Sequence, residues 1–329
     1  AGSDSGEPVS DQPLAWLLSA RTEAALREQA DRLRRHLGTL PDTGAGPIAY
    51  SLATTRAAFE YRAVLLGADR AGLLDRLDDL IAERPRADVV TGSVLTGDTV
   101  FVYPGQGSQW IGMAATLLDT APVFADAIDE CALALAPHID WTLQDVLRDL
   151  PGSASLDRVD VVQPVLFAVM VALTRLWESW GVVPDAVVGH SQGEIVAAYV
   201  AGGLSLDDAA RIVAVRSKLV AAVAGTGGMV SVWLPAGPAE QRLAAFPGLS
   251  VAAVNGPDST VVAGPAAGLD AFVAACAADN VRVKRIAVDY ASHSPQMDDL
   301  RDDLIAALAA IRPGPARILT MVRPSGSRR

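Results

Sequence analysis

Four short strings carry residue types that could do chemistry. The first is Gly189-His190-Ser191-Gln192-Gly193. It follows a short apolar run at 186–189 and precedes helical spacing at 194–200. That strand-turn-helix setting is what a G-x-S-x-G nucleophile elbow requires. Small residues two before and two after the serine permit a sharp turn that exposes the hydroxyl at a helix N-terminus. The amide after the serine can then donate to a developing oxyanion, and the helix dipole favours negative charge there. The competing interpretation is a chance glycine-rich turn.

A serine nucleophile needs a base, and the sequence has four histidines. His36 lies in an arginine-rich helical pattern and reads as an exposed helix residue. His138 stands in a loop between Pro137 and Trp141 and reads as structural. His190 precedes the serine, and in an elbow that side chain points away from the hydroxyl, so packing is expected. His293, in Asp289-Tyr290-Ala291-Ser292-His293, remains by elimination, with a core histidine as the competing interpretation.

The third string, Pro104-Gly105-Gln106-Gly107-Ser108-Gln109, ends an apolar run at 99–103. Trp110 occupies the place of the third glycine of a dinucleotide loop, and no Gly-Lys-Ser/Thr ending follows. A glycine-rich strand end can instead supply a second backbone donor to an oxyanion. The fourth is Arg216, on the helical pattern after the elbow. Its planar fork suits a carboxylate, although an arginine on a helix is ordinarily a solvated surface residue.

The elements that must position these residues follow from periodicity. Residues 1–12 are polar and read as linker. Strand patterns at 14–18 and 61–66 and helical ones at 23–37 and 71–81 make residues 1–95 a small α/β unit without convergent polar groups. From Thr99 a strand (99–103) and helices (112–118, 123–135, 163–180) lead to a strand (186–189) and helices (194–200, 206–223), the pattern of a parallel sheet covered by helices. From Gly227, strands at 229–234, 249–254, 259–263 and 281–288 enclose helices at 238–245 and 269–279. That β-α-β-β-α-β order is ferredoxin-like. A helix at 297–311 and a basic, irregular tail close the chain.

Composition bounds the function. The 329 residues are 50% apolar, and a chain of that length can bury roughly 75% of its unfolded surface. A net charge of −11 argues against nucleic acid as partner. No uncharged apolar run of about 18 residues or more and no secretory signal are present, so no membrane span is expected. The first residue is not Met, which suggests a piece of a longer chain. Cys131 and Cys276 are isolated, which fits a reducing cytoplasm and gives no metal site.

Together these strings resemble the malonyl-CoA:acyl-carrier-protein transacylase family, and within it the acyltransferase domain of modular type I polyketide synthases. PGQGSQ (104–109), GHSQGE (189–194), RSK (216–218) and YASH (290–293) occur in family order. The resemblance implies an α/β fold: an α/β-hydrolase-like parallel-sheet large subdomain (96–226) with an inserted ferredoxin-like small subdomain (227–291). Residues 1–95 would be the ketosynthase-to-acyltransferase linker domain, and 292–329 a return to the large subdomain, apparently truncated. It implies Ser191 as nucleophile, His293 as base, the amides of Gln106 and Gln192 as oxyanion hole, and Arg216 as the partner of a substrate carboxylate. The reaction implied is ping-pong acyl transfer from acyl-CoA to the phosphopantetheine thiol of an acyl carrier protein, in antibiotic biosynthesis by a cytoplasmic multifunctional enzyme. No cofactor or metal is implied; partners would be methylmalonyl-CoA, the carrier protein and an adjacent ketosynthase.

Tyr290, Ser292, Gln192 and the 158–163 string ending in Gln163 resemble the (2S)-methylmalonyl-selective form. Ser292 leaves room for an α-methyl branch, worth about 1–3 kcal/mol. The family continues with another strand, helices and an Asn that orients the histidine. The tail ARILTMVRPSGSRR does not read as that strand, so the group orienting His293 is expected to be missing or replaced. Alternatives are a serine hydrolase or thioesterase, and an inactive scaffold fragment. The hydrolase fold wants an acid between serine and histidine rather than a small subdomain.

Overall fold

The computed structural model describes residues 13–40 and 43–321. The tail from residue 322 and the polar segment 1–12 lie outside the described residues. The chain divides into two compact units, one reaching Gly97 and the other starting at Asp98.

In the first unit the elements are β1 (Leu14–Ala20), α1 (Glu23–Thr39), α2 (Ala45–Thr55), β2 (Tyr61–Gly67), α3 (Arg70–Ile81) and β3 (Val89–Ser93). The strands form an antiparallel sheet in the order β1-β2-β3. Helices α1 and α3 start where a side chain can satisfy a free amide. Thr22 Oγ1 accepts from Ala25 N at 3.1 Å, and Asp69 Oδ1 from Gly72 N at 2.7 Å. Trp16, Leu65, Leu73 and Leu77 are fully buried between sheet and helices. Helix α2 and strand β3 were not expected. Only Ala45 and Ile48 of α2 are buried, and β3 is a largely exposed edge, so neither shows the apolar period that marks an element.

The second unit opens with β4 (Val100–Tyr103), followed by α4 (Ala115–Thr120), α5 (Pro122–Leu135), α6 (Leu143–Leu147) and α7 (Val159–Ser179). Strand β5 (Ala186–Gly189), α8 (Gly193–Val200) and α9 (Leu206–Ala222) come next. Helix α7 is long and apolar enough to cross a membrane, but 83% of its apolar window is buried. It packs against α5 and α9 as the central core helix, with Phe124, Ile128 and Phe167 at its contacts. Cys131 is buried in the same core, and burial pushes its thiol up to about 12.

The inserted subdomain is β6 (Gly228–Val232), α10 (Ala236–Leu243), β7 (Ser250–Gly256), β8 (Ser259–Gly264), α11 (Ala266–Ala278) and β9 (Val283–Ile286). Its sheet is antiparallel with order β7-β8-β6-β9. Each β-α-β crossover therefore skips one position, which is the split arrangement expected of a ferredoxin-like unit. Phe246 and Phe272 meet edge to face within its core.

Two expectations need correction after the insert. The helix expected at 297–311 is a 3₁₀ turn (Pro295–Leu300) and a short α12 (Arg301–Ala307). Ser294, whose Oγ accepts from Gln296 N, caps the tight turn, and none of its residues is buried to extend a core face. The tail is not wholly irregular either. Leu319–Met321 forms β10, parallel to β5 with Leu319 opposite Ala186, and the sheet order is β10-β5-β4. Three residues beside a basic segment give no period to read, and backbone pairing to β5 supplies the strand.

Candidate active site

The bend between β5 and α8 is built by glycines that have no room for a side chain. A Cβ on Gly189 would run into the backbone of Gly193 and Glu194, and one on Gly193 into the Tyr103 carbonyl. Gly105 leaves a similar gap, since its Cβ would press on His190 and Ser191. The elbow is tied to β4 by His190 N donating to Tyr103 O at 2.8 Å. Glu194 N donates to Ser191 O at 3.0 Å, so helical turns begin at the serine. Ser191 itself has φ 55°, a left-handed conformation that costs a non-glycine residue about 1–3 kcal/mol.

Ser191 Oγ lies 2.8 Å from His293 Nε2. His293 also has a left-handed backbone, φ 57°. It is held at a bend whose next residue donates Ser294 Oγ–H to Ala291 O at 2.7 Å. Both ends of the serine–histidine bond thus sit on strained backbone, which persists only where the surrounding structure over-determines it.

The pair opens onto a cavity of about 400 Å³ lined also by Gln192, Ile195, Ile212 and Arg216, and by Ala252 and Ala253 of β7. Ala252 sits in the irregularity between Val251 and Ala253, where the register with β8 shifts, and Ala253 directly follows it. Nothing in the strand pattern at 249–254 marks them as site residues.

Arg216, half-buried on α9, donates Nη1–H to Gln163 Oε1 at 2.7 Å. Among the described residues no carboxylate pairs with it. Burial lowers its pKa from the usual arginine value, and nearby Tyr290 partly opposes that shift. Tyr290 is buried, donating its hydroxyl to Gln106 Oε1 at 2.8 Å. Burial raises its pKa, while Arg216 and the amides of Gln163 and Gln106 act the other way. Ser292 is buried beside it in the chain, and Gln163 is buried on α7. Gln192 is 3% exposed, and neither atom of its side-chain amide has a partner. Among the described residues, the backbone amides of Gln106 and Gln192 donate to no carbonyl.

Of the residues singled out from sequence, Ser191, His293, Gln192 and Arg216 line one cleft and Gln106, Gln163 and Tyr290 join the polar side chains behind it, while Ser292 is buried and does not line the cleft. The remaining histidines divide. His36 is exposed on α1 and His138 half-buried in a 3₁₀ turn, its pKa lowered chiefly by burial. His190 departs from expectation: it is exposed and lines the cleft rather than packing inside, with its ring lying against Gly105. Among the described residues no three His, Cys, Asp or Glu side chains cluster as a metal site would.

A serine and an imidazole sharing a hydrogen bond at a strained turn, beside a half-buried guanidinium with no acid partner among the described residues, are groups that acyl-transferring and acyl-hydrolysing proteins use. Residues 100–327 match the acyl transferase domain family and residues 15–77 the CurL-like C-terminal segment of polyketide synthases. The chain belongs to the family of acyl transferase domains found in polyketide synthases. It is 56% identical over 304 residues to the spectinabilin polyketide synthase system protein NorA' of Streptomyces orinoci, covering 92% of this chain and 8% of that one. It is 51% identical over 315 residues to the mycoketide-CoA synthase of Mycobacterium tuberculosis, covering 95% and 8%. The chain thus spans under a tenth of the length of these relatives. Its fold is similar to that of the acyltransferase domain from module 8 of the salinomycin polyketide synthase, with TM-score 0.89 and 50% identity over 94% of this chain and 74% of that one.

Proposed function

We propose that this chain loads an extender unit, (2S)-methylmalonyl, from coenzyme A onto the phosphopantetheine thiol of an acyl carrier protein. The observation that carries the reading is the 2.8 Å Ser191–His293 bond in the same cleft as Arg216, which has no acid partner among the described residues. In the first half-reaction His293 Nε2 accepts the hydroxyl proton while Ser191 Oγ attacks the thioester carbon. The tetrahedral oxyanion accepts hydrogen bonds from the amides of Gln106 and Gln192. The C–S bond then breaks, His293 returns the proton to the departing CoA sulfur, and a seryl ester remains. The carrier's thiol reverses these steps. Arg216 binds the distal carboxylate with a charge-assisted fork, which selects acyl groups that carry one.

Two features support the branched extender. Ser292 is small and buried next to His293, and the unpaired Gln192 amide offers polar contacts without a bulky aliphatic wall. The first unit, with its match to a polyketide synthase C-terminal segment, serves as the connector to a neighbouring ketosynthase.

The test is intact-protein mass spectrometry after mixing with malonyl- and methylmalonyl-CoA in competition. The expected result is one methylmalonyl group on Ser191, absent in Ser191→Ala and discharged by a carrier protein thiol. Release of free acid at the rate of transfer would identify a hydrolase instead. A folded protein with no adduct would mark a scaffold.

A further inference from the structure

Behind the cleft, four side chains from four separate segments form one hydrogen-bonded chain. Arg216 Nη1 donates to Gln163 Oε1 at 2.7 Å, and Gln163 Nε2 lies 3.5 Å from Gln106 Oε1, at the long limit of such a bond. Tyr290 O–H donates to the same Gln106 oxygen at 2.8 Å. The direction of the whole chain is fixed by its first member. A guanidinium has donors and no acceptor, so Gln163 must turn its oxygen toward Arg216 and its NH₂ toward Gln106. Gln106 must then present its oxygen, and the tyrosine hydroxyl must donate. Gln163 and Tyr290 are each 4% exposed, so a reversed amide would leave buried donors facing one another.

Gln106 belongs to the Pro104–Ser108 bend, which packs against His190 and Ser191 at Gly105 and, among the described residues, has one side-chain hydrogen bond besides those of Gln106. Gly107 there has φ 124°, a conformation natural to glycine alone, and its amide donates to Gln109 Oε1 at 2.8 Å. The short Tyr290 bond is accordingly the firmest side-chain hold on Gln106.

We propose that Tyr290 is a positioning residue for both halves of the site: through Gln106 it sets the amide offered to the oxyanion, and through Gln163 it is linked to the Arg216 fork, so that filling the carboxylate subsite tightens the oxyanion subsite. This rests on the reading of Ser191 as the acylated nucleophile and extends it. A diacid thioester is then not merely held by its carboxylate. Its carboxylate also improves the donor that acts on the thioester end, so part of the preference for diacids falls in kcat rather than KM.

Tyr290→Phe removes the hydroxyl and keeps the ring, and Gln163→Leu cuts the chain at a second place. Hydrogen exchange of the segment 104–109 is measured with and without methylmalonate, the free diacid. In the wild-type protein the diacid is expected to slow exchange of this segment; in both variants the effect disappears. Acylation kinetics give the second readout. With methylmalonyl-CoA, Tyr290→Phe is expected to lower kcat roughly 3- to 10-fold with KM held within about twofold, and to lower it less with propionyl-CoA.

Diacid-independent exchange in the wild type, retained protection in both variants, or equal kcat losses for the two thioesters would each overturn the coupling. Absence of any wild-type adduct on Ser191 would instead overturn the acyltransferase reading, while the exchange data still judge the link between Arg216 and the Gln106 loop.

Discussion

Two arginine environments in this molecule solve opposite problems. In the first unit Asp79 is buried and two guanidinia close over it. Arg84 Nε lies 2.6 Å from Oδ1, and Arg86 Nη1 3.1 Å from Oδ2. Arg86 is itself shared with Asp88, at 2.9 Å. Every charge there has a partner of opposite sign. In the second unit Arg216 has a neutral amide as its hydrogen-bond partner and no acid among the described residues. A desolvated charge without a counter-charge is expensive. The first arrangement is a finished clamp that holds a turn. The second is half a clamp, and the carboxylate that completes it must arrive with a ligand.

Removing Arg216 breaks the contrast most severely. Arg216→Ala is expected to lower kcat/KM for dicarboxylic acyl-CoAs about 30- to 1000-fold, equivalent to about 2–4 kcal/mol for a buried charge-assisted pair. Propionyl-CoA, which brings no carboxylate, should stay within a few-fold of wild type. The thermal midpoint should fall only modestly, because the deleted charge strands no counter-charge among the described residues and only Gln163 Oε1 loses its donor. Equal losses for both thioester classes would show that Arg216 shapes the cleft instead of binding an anion.

Asp79→Asn has the reverse profile. It should lower the thermal midpoint of the first unit and leave Ser191 acylation unchanged. The Arg84 hydrogen bond is the main cause holding the Asp79 carboxyl below its ordinary value. A folded-state pKa depressed in this way contributes stability above the unfolded value of about 3.9 and loses it as pH falls through the folded value. The wild-type protein should therefore lose stability on acidification below about pH 4 more steeply than the variant does. Parallel acid limbs in chemical-denaturation curves would mean that the carboxylate is not selectively stabilised.

The sequence discloses these two environments unequally, and the reason is geometric. The elbow was legible because collisions of a Cβ with backbone dictate Gly189 and Gly193, and such a demand leaves a fixed spacing in the chain. His293 was reachable by elimination, since no local pattern announces a histidine at a left-handed bend. The inserted subdomain was legible because β6–β9 and their helices alternate with clear periods. The Arg216–Gln163–Gln106–Tyr290 chain was not, because its members lie on four segments that only folding brings together. The placing of the His190 ring against Gly105 likewise depends on two segments that folding brings together. Short elements resting on pairing rather than amphipathicity, such as β3 and β10, carry too few residues for a period to emerge.

The smallest effect sharpens the comparison from the first unit's side. The Arg84 side chain is 60% exposed, whereas the Asp79 side chain it meets is 9% exposed. An exposed arginine held on one side by water gives up little when it is replaced. Arg84→Gln keeps a donor near Oδ1 and leaves Arg86 on Oδ2, so the carboxylate remains both solvated by hydrogen bonds and charge-paired. The thermal midpoint should therefore drop by less than in Asp79→Asn, and the acid limb should keep its steepness in direction while shrinking in extent. A drop as large as that of Asp79→Asn would show that Arg84 alone holds the acid. The closure of this site would then depend on one pair, and its difference from Arg216 would be of degree, not of kind.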